Sequence, residues 1–535
     1  MRRGRMLLWA ILIPVCYAPS FVLGSHPGPA GLITLALAFA FALLVVALAV
    51  RPAELDRIAR AIEGLAAPIL LGAIAVYVGF SVAVALQRIA HFEHAPMLGL
   101  FSQSTWSVLH GLPFANTQES IDGTPGSHFA IHFSPTLLVL TPFYALFPHP
   151  AVLIVAQALA VALAIVPLYH LLRDEVPRAA ALVSSVTLLA VPIFAWGAAR
   201  DFHDSSFLPV LLLASLWALD HRRWGWFTLF AVAALGVRED VGLVLAALAL
   251  YAFLRGHGLR VAVPILALGL LWFVLATKLV MPRFASAGMI IDPHRFFVAM
   301  FGQWGDTPLH ALGGMLAHPV AVVHWLLRKE SVRYGYLLLR PLLLFPPFGN
   351  AVMLAALPGL AINLLSGYAF MRAPDLPYSM IPLTFFSVAA MRVATRVSPR
   401  TPTTRRAATS LAMALIVLAG CLPSTVLSIP SREPNLPPRA AAAAAVKVVP
   451  EVAAVYAPLA LYPALCNRED FDDWESTGPL MKDAAFRKRY PVIILWPDGD
   501  PPGESRDRAL ADLLKHDSGF VARPGFEPLL VYERR

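Results

Sequence analysis

The stretch GLITLALAFAFALLVVALAV (31–50) holds twenty residues without a charge, and AAPILLGAIAVYVGFSVAVA (66–85) repeats the pattern after one short charged interruption. A helix of about 20 apolar residues is about 30 Å long, the thickness of a bilayer's hydrocarbon core. Two such runs in the first hundred residues make this a membrane chain, and the rest of the sequence agrees. Of 535 residues, 58% are hydrophobic and 14% charged, and the mean hydropathy is +0.67. A soluble domain carries about a quarter charged residues, so the polar surface for a water-soluble fold is missing. The net charge of +9 is therefore read as basic cytoplasmic loops, not as a nucleic-acid surface. Three cysteines, Cys16, Cys421 and Cys466, show no metal-ligand spacing and no disulfide framework.

Working outward, the opening MRRGRMLLWAILIPVCYAPSFVLG reads as a retained first helix rather than a cleaved signal, because its apolar stretch runs on to Leu23 and a second span follows. Further spans are expected near 30–50, 66–86, 151–172, 179–197, 206–219, 224–237, 241–254, 260–280, 333–347, 350–368, 378–391 and 407–428. The expected fold is an α-helical polytopic membrane protein with about 11–13 transmembrane helices, ending in a small C-terminal α/β extracytoplasmic domain.

Basic residues set the orientation. If Arg2, Arg3 and Arg5 are cytoplasmic, alternate loops contain Arg51, Arg57 and Arg60, then Arg173 and Arg178, Arg222 and Arg223, Arg255 and Arg260, and lastly Arg392, Arg396, Arg400, Arg405 and Arg406. That register predicts a multi-pass protein of the cell's inner (plasma) membrane with a cytoplasmic N-terminus. Loops 87–134 and 281–332, the turns 198–206 and 237–241, and everything after 428 then fall on the external side. The membrane region is expected over 1–428, a Pro-rich linker over 429–440 and the soluble domain over 441–535. Within the last, strand-like runs at 452–457, 491–496, 518–523 and 528–533 alternate with helical candidates at 458–466 and 505–516.

In so apolar a chain the charged residues at span ends carry the information, since burying them is costly. Four clusters stand out. The first spans 93–123, with Glu93, Gln103, Glu119 and Asp122. The second is SHFAIHFSP (127–135), whose His128 and His132 are four apart, on one helical face. The third is RDFHDSS (200–206), with Arg200, Asp201, His203 and Asp204, and the fourth is VREDVGL (237–243), with Arg238, Glu239 and Asp240. Each can be plain solvated loop. Yet the predicted topology puts all four on one face, where carboxylates and imidazoles suit a divalent cation such as Mg or Mn and the arginines suit a phosphate.

The runs LGLFSQSTWSVLHGLPFANT (98–117), HFAIHFSPTLLVLTPFYALFPHP (128–150), DFHD (201–204) and REDVGL (238–243) together resemble the signature of an uncharacterised prokaryotic membrane-protein family, domain of unknown function 2079. The resemblance covers roughly residues 90–535. Its layout is similar to that of the C-type glycosyltransferases, which take sugars from polyprenyl-phosphate carriers on the external face and commonly use a divalent metal. One position departs from the family: the aspartate expected before Leu98-Gly99 is Met97, which can neither accept a proton nor bind a metal.

The resemblance implies transfer of a sugar from a polyprenyl-phosphate-linked donor to an acceptor hydroxyl. Glu93, Glu119 or Asp122 would supply the base, with Asp201, His203, Glu239 and Asp240 around the metal. Arg200, Arg238, Gln103, His128 and His132 would contact substrate. Two other readings stay open: a transporter or lipid flippase, and a catalytically inactive envelope-assembly component.

Overall fold

The computed structural model describes residues 3–21, 29–49, 51–93, 96–120, 125–285, 293–396, 403–430, 436–499 and 505–535. Arg2, Leu23, His94, Asp122 and Arg400 lie outside the described residues. The protein is a helical bundle with a small sheet packed on one end. Five helices among the described residues are long and apolar enough to cross a membrane: Gly31–Ala49, Ala66–Ala90, Ala151–Leu172, Leu259–Phe284 and Arg406–Leu427. Two helix pairs pass the same test only across a bend, Arg178–Ala190 with Pro192–Arg200 at 47° and Pro308–Ala317 with Pro319–Leu326 at 95°. A proline opens the second helix of each pair, where its missing N–H costs nothing but a continuous helix would lose a hydrogen bond.

Several expected crossings are shorter than the sequence pattern implies. Trp224–Leu235 and Val241–Leu254 have 12 and 14 residues, about 18–21 Å at 1.5 Å per residue, less than the hydrocarbon core. Charged turns at 220–223 and 237–240 cut them off. Close packing compensates where Val241–Leu254 meets Leu259–Leu275: a Cβ on Gly242 would lie 2.4 Å from the Gly269 carbonyl oxygen, and the converse holds for Gly269. Only glycine lets two backbones approach so closely.

The two ends of the bundle differ chemically. At one end the loops expected to be cytoplasmic converge. Glu63 accepts the Ala179 N–H at 3.3 Å, His221 meets Asp174 at 2.7 Å, and Arg396 meets Glu175 at 2.9 Å. In their midst Arg392, 1% exposed, holds Glu175 at 2.7 Å and Asp220 at 3.3 Å. The opposite end gathers the expected external segments, and there the structure corrects two expectations. Segment 87–134 is not an open loop: Pro96–Leu109 is a helix buried from Leu98 to Ser107, followed by a short antiparallel pairing of Ala115–Asn116 with Gly126–Ser127. Segment 281–332 contains the helices Pro293–Phe301, Pro308–Ala317 and Pro319–Leu326.

The C-terminal region forms a five-stranded sheet in the order Phe471–Asp472, Val455–Tyr456, Val492–Leu495, Leu530–Arg534, Phe520–Arg523. The first three strands are parallel and the last two pair antiparallel. Helix Arg506–Lys515 covers one face, burying Leu510, Ala511 and Leu514. The strand Phe471–Asp472 was not evident in the sequence; at two residues it is too short to show alternation.

Candidate functional site

The buried helix Pro96–Leu109 organises the sheet-bearing end. Its N-terminus is capped from another segment. Asp201 accepts the Leu98 N–H at 2.8 Å and the Met97 N–H at 3.2 Å, besides the N–H of Phe202 at 2.8 Å. The first N–H groups of a helix have no partner within it, and a carboxylate there meets both the orphan donors and the positive end of the dipole. Gln157 locks the capping segment, donating to the Asp201 carbonyl at 2.7 Å and accepting the His203 N–H at 2.7 Å.

Gln103, two turns along the buried helix from its start, joins it to the sheet. Its Nε2 donates to the carbonyls of Arg468 at 3.0 Å and Glu469 at 2.9 Å, and its Oε1 accepts the Thr117 N–H at 3.2 Å and the Tyr462 hydroxyl. Every hydrogen-bonding direction of this amide is thereby used inside the protein. Thr117 in turn takes the Phe471 N–H at 3.2 Å, closing the edge strand of the sheet.

Beside this helix lie two carboxylate–imidazole pairs. Glu119 meets His128 Nδ1 at 2.8 Å and accepts Asn116 Nδ2 at 2.8 Å. Glu239 meets His132 Nδ1 at 3.0 Å and accepts the Phe133 N–H at 3.1 Å. The two imidazole rings are 5.9 Å apart, and Asp204 accepts Ser134 Oγ at 2.9 Å. His128 Nε2, Ser205 Oγ and Ser206 Oγ are buried without a hydrogen-bond partner among the described residues. Burial alone would raise the Glu119 pKa, but His128 and the hydrogen bonds from His128 and Asn116 outweigh it and hold the carboxyl below its ordinary 4.5. Burial likewise pulls the His128 imidazole down, yet Glu119, Asp204 and Glu239 leave it above its ordinary 6.5.

A pH dependence follows from these two shifts. The lowered carboxyl adds stability above pH ~4.5 that is lost as pH falls through its folded value; the raised imidazole adds stability below ~6.5 that is lost as pH rises through its own. Both are in full effect only between those limits. The melting temperature is therefore expected to peak there, and Glu119→Gln should flatten both arms. Superimposable pH profiles for the two proteins would show that the pair contributes nothing to folding.

Of the four residues expected to hold a metal, three have side chains that contact other protein groups. Asp201 caps a helix, Glu239 serves His132 and Phe133, and Asp240 takes Arg238 Nε and Nη2 at 3.1 and 3.2 Å. His203 contributes its backbone to Gln157. Among the described residues no three His, Cys, Asp or Glu side chains stand where they could share a metal ion. Asp201, Glu239 and Asp240 each accept hydrogen bonds from protein groups.

The two arginines expected at a phosphate separate. Arg238 is held by Asp240, whereas Arg200 lines a cavity of about 490 Å³ with Arg88, Arg333 and Arg340. Arg200 pairs with Asp375 and donates to the Ser428 carbonyl at 3.1 Å. Arg340 is fixed by Ser424 Oγ at 3.1 Å and Ser20 Oγ at 3.0 Å, with its guanidinium over the Tyr17 ring. Leu337, Leu383, Leu427 and Ile429 supply apolar wall. Glu93 does not line this cavity, but its backbone carbonyl accepts Arg88 Nη2 at 2.7 Å. Sequence reasoning missed Arg88, Arg333 and Arg340, which fall inside or beside apolar runs; an arginine within a span was the available signal.

Solved structures resemble the chain, two of them crystal structures of one protein. Crystal structures of ArnT from Cupriavidus metallidurans, one bound to undecaprenyl phosphate and one in the apo state, give TM-scores of 0.44 and 0.47. Each is 14% identical, and each comparison covers 86% of this chain and 98% of the other. No curated protein matches. The family model for predicted membrane proteins of domain of unknown function 2079 matches residues 97–520, a stretch that includes the buried helix, both carboxylate–imidazole pairs and most of the sheet, and the chain belongs to that family.

Proposed function

We propose that the protein is a membrane glycosyltransferase that takes a sugar from a polyprenyl-phosphate carrier. The observation that supports this reading is the cavity of Arg88, Arg200, Arg333 and Arg340, at the end of the bundle opposite the basic loops. Four guanidinium groups share it with one carboxylate, Asp375, which Arg200 already engages. Arg333 and Arg340 face no carboxylate within ion-pair distance among the described residues, and a guanidinium matches phosphate geometry. The leucine and isoleucine walls suit the isoprenoid next to that phosphate. The reaction is attack of an acceptor hydroxyl on the anomeric carbon, with the sugar–phosphate bond breaking and the lipid phosphate leaving. Arg88, Arg333 and Arg340 neutralise the charge that grows on the departing oxygen. Glu93, whose backbone carbonyl Arg88 holds, takes the acceptor proton; Glu119 is already held by Asn116 and His128.

The test is transfer from a radiolabelled polyprenyl-phosphate sugar into the envelope fraction, using the full-length protein in nanodiscs. Wild type should release lipid phosphate and label an acceptor. Arg333→Gln should lower the rate about tenfold or more, the equivalent of ~1.4 kcal/mol for one charged hydrogen bond, and Glu93→Gln should lower kcat with little change in lipid affinity. No transfer by wild type, or wild-type rates in both variants, would sink the proposal. The break at Pro192, where the span bends by 47° on its way to Arg200, gives some support to a carrier that moves the lipid itself. Vesicles in which labelled lipid phosphate crosses the bilayer without any sugar transfer would favour that second reading.

A further inference from the structure

A second cavity of about 550 Å³ adjoins the first. The two share Arg333, Leu337 and Pro374 as common wall, and the second adds Lys329, Arg372 and Glu330. Across both, six cationic side chains stand against two carboxylates, Asp375 and Glu330. A sugar phosphodiester carries one negative charge, so it would leave this joined space strongly positive. Lys329 and Arg333 are exposed and Arg372 is half-buried, so water screens part of their repulsion, and an excess of one sign around a concave surface still raises the local concentration of anions.

The second cavity shows this crowding directly. Arg372 donates to the Ser366 carbonyl; burial, and after it the neighbouring Arg328, push its guanidinium below the ordinary value against the opposing pull of Glu330. Arg328 itself stacks on Trp325 with its guanidinium carbon 3.2 Å from the ring centroid. Lys329 opens the helix Lys329–Leu339 and is exposed, and Arg333, one turn further, reaches both cavities. No ion pair engages Lys329, Arg333 or Arg372 among the described residues.

We infer that the joined cavities bind two anionic groups at once, the first cavity taking the lipid phosphate and the second, through Lys329, Arg333 and Arg372, another phosphate-type anion. This rests on the carrier reading above and extends it. The second anion belongs either to the carrier, which is then a polyprenyl diphosphate, or to a separate molecule such as a phosphate-bearing acceptor.

The experiment measures binding of a polyprenyl monophosphate and a polyprenyl diphosphate of equal chain length to the full-length protein in nanodiscs. If the second anion is on the carrier, the diphosphate binds at least tenfold more tightly. Lys329→Gln and Arg372→Gln then bring it down toward the monophosphate, whose own affinity changes less than twofold. If the second anion is on another molecule, the two lipids bind alike, but the monophosphate-loaded protein binds inorganic phosphate and both variants lose it. Equal lipid affinities together with no phosphate binding to the loaded protein overturn the inference. Should neither lipid bind, the carrier reading falls, and inorganic phosphate on the lipid-free protein decides the second site: binding lost in the variants upholds it, and no binding overturns it. Arg372 also holds a backbone carbonyl, so Lys329→Gln carries the result if the Arg372 variant does not fold.

Discussion

Arg392→Ala is expected to destabilise the protein by about 3–5 kcal/mol, the range for removing one partner of a buried ion pair. The guanidinium is 1% exposed and stands between Glu175 at 2.7 Å and Asp220 at 3.3 Å. Without it two carboxylates remain close together, and among the described residues Asp220 keeps the Tyr251 hydroxyl at 2.8 Å and the half-exposed Arg255 at 4.0 Å. Thermal unfolding in detergent measures the loss. The cause is separable, because Arg392→Met combined with Glu175→Gln and Asp220→Asn removes the charges together and should recover most of the stability. A loss below about 1 kcal/mol in the single variant would place this triad with ordinary surface ion pairs.

Gly99→Val should detach the sheet domain from the bundle. A Cβ at position 99 would lie 2.4 Å from Cγ of Tyr462 and 2.5 Å from its Cδ1. The ring cannot swing aside, because it stacks on Phe471 with centroids 4.2 Å apart and its hydroxyl is bound by Gln103. Overpacking of this kind costs about 1–3 kcal/mol, and here the strain falls on one interface. Limited proteolysis should release the C-terminal fragment roughly tenfold faster or more. Gly99→Ala with Tyr462→Gly, which clears the space, should restore slow cleavage relative to Gly99→Ala alone. Unchanged proteolysis of Gly99→Val would mean that the contact does not hold the domain in place.

How far the sequence could be read depended on the range of the interactions involved. Long uncharged runs announced the membrane fold, since crossing a bilayer is a local property of about 20 residues. Convergence of Arg173, Arg255, Arg392 and Arg396 at one end followed from counting basic loops. The helix Pro96–Leu109 fell in an external loop of the span register; its burial depends on Tyr462 and on the carbonyls of Arg468 and Glu469, more than 350 positions away. Asp201 looked like a metal ligand for the same reason, as nothing near it in the chain reveals that it caps a distant helix. Methionine at position 97 is easier to understand with that cap in view. The Asp201 carboxylate already occupies the helix N-terminus, so this chain keeps a negative charge there without a second carboxylate on position 97. The arginine cavity was half legible. Arg200 advertised itself in a polar turn, while Arg333 and Arg340 needed the fold to bring their helix beside it.

The bonds from Gln103 to Arg468 and Glu469 also impose an order on biosynthesis. A ribosome finishes the first helical segments long before the last hundred codons are read, so the 96–109 helix emerges with its polar face lacking partners. It can settle only after the C-terminal region has been synthesised and has reached the same side of the membrane. Truncation before Arg468 would therefore damage the first third of the chain, and a quality-control protease would meet the defect there.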